Sequence, residues 1–219
     1  MKIDVMTNDK LIKSMANMIY QELPLCEKTA HSLNRLLDES PATAYEHVLI
    51  AALERIYQQD EDLITAGCRL DSSRTIEHRH HERTFTARLG YYLALLLETD
   101  DRKVDCEYFY DYAGEEHNRK KVAGREVIPD IIYHVRGSDM TKNYFCIEVK
   151  WKTVGKDRSK VRKIIEKYHY KIGFCIYNIR PNSVSMYILQ NDHDTPDKKT
   201  YVLDEETKTL RYTENTNTQ

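Results

Sequence analysis

The sequence predicts an α/β fold, a mixed sheet flanked by helices, with a helical segment ahead of it. Between Arg74 and Asn178 the apolar period changes in the order helix, strand, strand, strand, helix, strand. A succession of that kind packs as a sheet with helices on its faces. Residues 1 to 70 carry only the helical period. The 219 residues, 41% hydrophobic and 31% charged, suffice to bury a substantial core rather than remain disordered.

Asn8 is placed to cap a helix carrying Leu11, Ile12, Met15, Met18 and Ile19. Leu33, Leu36 and Leu37 mark a second helix. Ser40-Pro41 reads as an N-cap followed by proline at the first helical position, ahead of Tyr45, Val48, Leu49, Ala52, Leu53 and Ile56 at spacings of three and four. This segment holds no catalytic constellation, and it is either a small helical domain or a helical cover on the sheet-forming part of the chain. We divide the chain at residue 70, with 71–219 forming the second unit.

Ser72 and Ser73 can start a helix running to Glu98, whose stripe is Phe85, Leu89, Leu93 and Leu96. Glu82 extends that stripe by one turn and Glu77 faces away. A glutamate there is costly unless paired, protonated or bound to a cation. Taken alone, it reads as a helix-end residue reaching solvent or a neighbouring arginine. His78 and His81 have a spacing that suits zinc, but no third ligand supports it, so these histidines and His80 read as exposed.

Val104 to Tyr110 begins the sheet, and a polar, basic loop follows over 113–123. From Ile128 to Trp151 come two strands and a turn containing Gly137, Ser138, Asp139 and Asn143. A hairpin centred near Asp139 brings Asp130 opposite the end of the second strand, where Glu148 and Lys150 share a face. Two carboxylates and an ammonium then gather on a largely apolar sheet. The alternative, an ion-pair cluster without function, costs several kcal/mol in desolvation for doubtful stability. Lys156 to Tyr168 forms an amphipathic helix burying Val161, Ile164, Ile165 and Tyr168. Lys171–Asn178, Val184–Leu189, Tyr201–Asp204 and Leu210–Thr213 are further strands, and the tail frays.

The net charge of −2 gives no global argument for nucleic acid. Basic residues nevertheless cluster at Lys150–Lys163 and at Arg119, Lys120, Lys121 and Arg125, a stripe that could face phosphates. The bland reading of any one cluster is ordinary solvated surface. Cys26, Cys68, Cys106, Cys146 and Cys175 form no metal-ligand spacing and read as reduced core residues of an intracellular protein. With no signal-peptide pattern, and no apolar run near the ~20 residues of a membrane span, a cytoplasmic protein is expected, with no membrane partner.

Two carboxylates on adjacent strands suit a hard cation, Mg²⁺ or Mn²⁺, which polarises a phosphoryl oxygen and acidifies a bound water. A lysine beside them can neutralise charge that develops in phosphodiester hydrolysis. Pro129-Asp130 followed by Glu148-Val149-Lys150 resembles the PD-(D/E)XK motif of the restriction-endonuclease-like nucleases. The similarity extends to a bacterial branch of that superfamily through residues 82–93, 104–108, 129–137, 148–150, 157–161 and 168–176. It covers about half the chain and leaves out residues 1 to 70.

The resemblance implies a metal-dependent nuclease hydrolysing phosphodiesters, in DNA or else RNA, through a metal-bound water. Asp130, Glu148 and the Val149 carbonyl would hold the metal, and Lys150 would serve catalysis. Glu82 joins the catalytic set as the family's helical glutamate, with Glu107 as a further candidate. Where the family often carries a glutamine, this chain offers Lys160. Lys152, Lys156, Arg158, Lys160 and Lys163 would contact nucleic acid, and a homodimer is one assembly such enzymes adopt. The competing readings are a catalytically silent nucleic-acid-binding or protein-interaction module on the same fold, or a subunit of a larger defence or mobile-element complex.

Overall fold

The computed structural model describes residues 8–21, 27–69, 75–107, 110–111, 118–122, 124–137, 140–152, 155–193 and 195–213. Cys26, Ser72, Ser73, Asp139 and the tail from 214 lie outside these, as do the side chains of Glu77, His78, Arg119 and Arg125. Five helices come first: α1 (Asn8–Gln21), α2 (Glu27–Asp38), α3 (Tyr45–Gln59), α4 (Glu61–Arg69) and α5 (Thr75–Leu97). Strand β1 (Arg102–Cys106) is next, then two short ladders, β2 (Tyr110–Asp111) with β3 (Asn118–Arg119) and β4 (Lys121–Val122) with β5 (Arg125–Glu126). The rest is β6 (Ile131–Val135), β7 (Asn143–Val149), α6 (Asp157–Tyr168), β8 (Ile172–Arg180), β9 (Ser183–Leu189), β10 (Asp197–Asp204) and β11 (Thr209–Thr213).

Seven strands form one mixed sheet in the order β1-β6-β7-β8-β9-β10-β11. Only β7 and β8 pair in parallel, because α6 joins them by a crossover; the other neighbours are antiparallel. Val161, Ile164, Ile165 and Tyr168 of α6 cover one face, against Ile132, Cys146, Cys175 and Leu189. The other face belongs to the helical segment. Ile131, Phe145, Ile147, Val149 and Phe174 share a continuous core with Leu49 and Leu53 of α3 and with Phe85, Leu89 and Leu93 of α5. Residues of α1 and α2, such as Ile12 and Leu33, belong to that same core. The N-terminal helices are therefore a cover on the sheet. Buried polar contacts anchor them: the Tyr133 hydroxyl donates to Asn34 Oδ1 at 2.6 Å, and Tyr57 donates to the carbonyls of Arg180 and Ser183.

Because both faces are covered, every residue of β7 is buried. The approach of α6 is close enough that a β-carbon at Gly173 of β8 would overlap Val161 Cγ1 and press on Ile165 at 3.0 Å. Gly173→Ala is accordingly expected to destabilise the fold by about 1–3 kcal/mol, read as a lower urea midpoint with an unchanged slope.

Some local expectations are corrected. Pro41 leads a 3₁₀ turn, Ala42–Ala44, rather than the first turn of α3, and Ser40 donates its hydroxyl back to the Leu36 carbonyl at 2.7 Å instead of capping forward. The first strand stops at Cys106, because Glu107 turns into the left-handed region at φ 49°. Cys146 and Cys175 are buried, but Cys106 is exposed. Among the described residues, no helix is long and apolar enough to cross a membrane.

Candidate active site

The antiparallel register of β6 and β7 sets Ile131 opposite Ile147 and Ile132 opposite Cys146. One step further along, Asp130 comes abreast of Glu148. Asp130 Oδ2 accepts the Val149 N–H at 2.7 Å, and its carbonyl accepts the Glu107 N–H at 2.9 Å. Glu148 is only 3% exposed, and both of its oxygens accept from Lys160 Nζ at 2.7 Å. That ammonium also donates to the Ile128 carbonyl at 3.0 Å. Lys150 lies just beyond β7, its backbone N–H bonded to the Ile176 carbonyl at 2.8 Å. Its Nζ donates to Glu82 Oε1 at 2.7 Å and to the Val149 carbonyl at 2.9 Å, and stands 3.7 Å from Glu148 Oε1.

Glu82 reaches this point from α5, on the opposite face of the sheet from α6. Its second oxygen accepts the Trp151 N–H at 3.2 Å, which ties the helix to the strand exit. Its partners are Lys150 and the Trp151 N–H rather than an arginine, with part of the side chain still open to solvent, because Phe85, one turn on, is buried and aims that side of α5 at the sheet. The Trp151 ring packs edge-on against Phe85 and His81, and a β-carbon at Gly67 of α4 would overlap it. His80 is exposed as expected. His81 is half-buried instead, with Nε2 3.0 Å from the Leu63 carbonyl, since α4 and Trp151 close over it.

If all are ionised, three carboxylates (Glu82, Asp130, Glu148) face two ammoniums (Lys150, Lys160), leaving one uncompensated negative charge. Burial raises the Asp130 carboxyl above its ordinary range, against the lowering influence of the Val149 N–H and the two lysines. Burial, and then repulsion from Asp130, pushes Glu148 from 4.5 to about 7. Burial works against the charged form of Lys150, but the Glu82 hydrogen bond and the carboxylates of Asp130 and Glu148 outweigh it and hold the ammonium above the usual range. Lys150 is thus a fixed positive charge at neutral pH, unsuited to be the base.

The oxygens of Asp130, Glu148 and Val149 are hard donors of the kind Mg²⁺ takes, and the surplus negative charge favours a cation. Among the described residues, no three His, Cys, Asp or Glu side chains form a ready metal cage, so a third oxygen would have to be a carbonyl or water. Lys160 already occupies both oxygens of Glu148 and Lys150 donates to the Val149 carbonyl, so a metal would have to displace them. Beside the cluster lies a cleft of about 300 Å³ lined by Glu82, Arg83, Thr86, Glu107 and Asp130. Arg83 pairs with Glu107 at 3.1 Å across it.

Of the basic residues expected at nucleic acid, Lys152, Lys156, Arg158 and Lys163 are exposed, whereas Lys160 turns inward to Glu148. Lys120 of the second cluster is buried, 5.5 Å from the Tyr168 ring centroid. Arg83 and Trp151 escaped the sequence reading. Arg83 had the signal of adjoining Glu82, while nothing in its spacing marked Trp151 as the wedge between α4 and α5. No family model, no curated protein and no solved structure matches this chain, and what the site does rests on its own geometry.

Proposed function

We propose that the chain is a metal-dependent phosphodiester hydrolase acting on nucleic acid, with DNA as the first substrate to test. The observation that carries this reading is the buried, carboxylate-rich set at the end of β7: Asp130 abreast of Glu148, with Lys150 3.7 Å from Glu148. A cluster so desolvated contributes doubtful stability, and perturbed carboxyls beside a cleft mark functional sites. Mg²⁺ or Mn²⁺, held by Asp130, Glu148 and the Val149 carbonyl, would supply Lewis-acid polarisation of the phosphoryl group. Glu82 steers the Lys150 ammonium, which donates to phosphoryl oxygens as their charge grows. The cleft by Glu82 and Asp130 admits the backbone, and Lys152, Lys156 and Lys163 offer exposed positive charge nearby.

One observation favours a second reading, a silent binding module on the same fold. Lys160 already holds both oxygens of Glu148, so that carboxylate is paired without a metal. Thermal melting separates the two. The hydrolase reading expects millimolar Mg²⁺ or Mn²⁺ to raise the Tm of the wild type by several degrees, roughly 1–3 kcal/mol through mass action, and expects Asp130→Asn to abolish the shift. Identical melting of both proteins with and without metal would leave the silent module as the better account.

A further inference from the structure

A row of residues runs across three strands beneath α6. Cys175 of β8 pairs with Glu148 of β7 on one side and with Tyr187 of β9 on the other. Strands lie about 4.8 Å apart, so Tyr187 sits roughly 10 Å from Glu148. Its ring stacks on Tyr177 with centroids 5.0 Å apart and planes 11° from parallel. The guanidinium carbon of Arg158, from the first turn of α6, lies 4.5 Å from the Tyr187 ring centroid. Arg158 is exposed, and it also lines an open pocket of about 360 Å³ with Gly155, Ser159, Arg162, Leu189 and Pro196. Arg162 donates to the carbonyls of Gln190 and His193 at 2.6 and 2.7 Å, which braces the loop forming the far wall.

We propose that Arg158, lying over Tyr187 and opening on this pocket, is a subsite for one unpaired base, so that the chain prefers single-stranded nucleic acid to uninterrupted duplex. The proposal rests on the nucleic-acid reading of the neighbouring cluster. A planar, weakly hydrated guanidinium backed by a tyrosine offers a cationic platform, while Pro196 adds an apolar wall. Stacking of this kind tolerates any base, but the base must present its face, which a paired and stacked duplex withholds. Lys160 comes two residues after Arg158 on the same helix and reaches Glu148, while Arg158 reaches Tyr187 two strands over, so α6 spans both the platform and the carboxylates.

Fluorescence anisotropy tests this in EDTA, with a short labelled oligonucleotide offered as a single strand and annealed to its complement. Wild type is expected to bind the single strand more tightly. Arg158→Lys keeps the charge and loses the plane, and should weaken single-strand binding by about tenfold while leaving duplex binding unchanged. Tyr187→Leu, checked for an intact melting transition, should match it. Equal affinity of wild type for the two forms, no binding of either, or wild-type single-strand affinity in Arg158→Lys would overturn the subsite. Cleavage by wild type in Mg²⁺ is measured alongside. Cleavage with no effect of Arg158→Lys on binding removes the subsite and leaves the hydrolase. Plane-dependent binding without cleavage in Mg²⁺ or Mn²⁺ keeps the subsite and removes the hydrolase.

Discussion

Lys150→Ala is expected to lower kcat for Mg²⁺-supported cleavage of an oligonucleotide by about a hundred- to a thousandfold, with KM nearly unchanged. That is the usual loss when one preorganised donor to a developing oxyanion is removed. The expectation comes from how the ammonium is held. Glu82 fixes it at 2.7 Å, and the surrounding carboxylates keep it protonated. Its contribution is positive charge in a fixed place, so Lys150→Arg should recover only part of the rate: a planar fork cannot occupy the same point. Stability should change little, because Glu82 retains the Trp151 N–H and a quarter of its surface, 24%, for solvent. A kcat within a factor of about two of wild type would reduce Lys150 to a structural partner of Glu82.

The metal-free protein should be most sensitive at Lys160. Lys160→Ala removes both 2.7 Å bonds to a carboxylate that is 3% exposed, and breaking one partner of a buried pair costs about 3–5 kcal/mol. The loss should depend on pH. Glu148 titrates near 7 in the folded chain against 4.5 when exposed, so the folded state holds its proton longer. Below 4.5 the group is protonated in both states and imposes no penalty. Between 4.5 and about 7 wild-type stability falls as pH rises, and above 7 the penalty is complete. Without Lys160 the folded value moves higher still, because the attraction favouring the carboxylate is gone. The variant should therefore lie close to wild type at about pH 4.5 and furthest below it at about pH 8. Urea unfolding at those two values measures this, and a pH-independent difference would mean that the buried ionised carboxylate is not its cause. If Glu148 binds the metal, Mg²⁺ should restore much of the loss at the higher pH, since a cation then replaces the missing ammonium.

Much of the fold was legible because local periods matched the final environment. The stripe of α5 and the apolar face of α6 each identified their element and its buried side, and the apolar runs of β6 and β7, buried on both faces, identified those strands. The hairpin reading also placed Asp130 opposite Glu148, since register in a paired strand is set by where the turn falls. Less legible were features depending on partners distant in the chain. Glu82 resembled a solvent-reaching helix residue because Lys150 is 68 positions away. Lys160 resembled one of several surface cations, because its amphipathic pattern cannot reveal that its ammonium reaches a buried carboxylate. The strand expected up to Tyr110 ended early because a single residue, Glu107, adopts a left-handed conformation that no propensity marks.

By itself, then, the sequence determined the class of fold, the succession α5, β1, β6, β7, α6, β8 and the pairing that gathers Asp130, Glu148 and Lys150, but not α4 or the short strands β2 to β5. These depend on period and turn placement over short stretches of chain. Tertiary structure alone decided that the N-terminal helices cover the sheet, that Lys160 rather than solvent neutralises Glu148, and that Arg158 rests on Tyr187. Each of those depends on which side chains meet across the sheet, where burial strengthens the interaction between charges and distance along the chain carries no information.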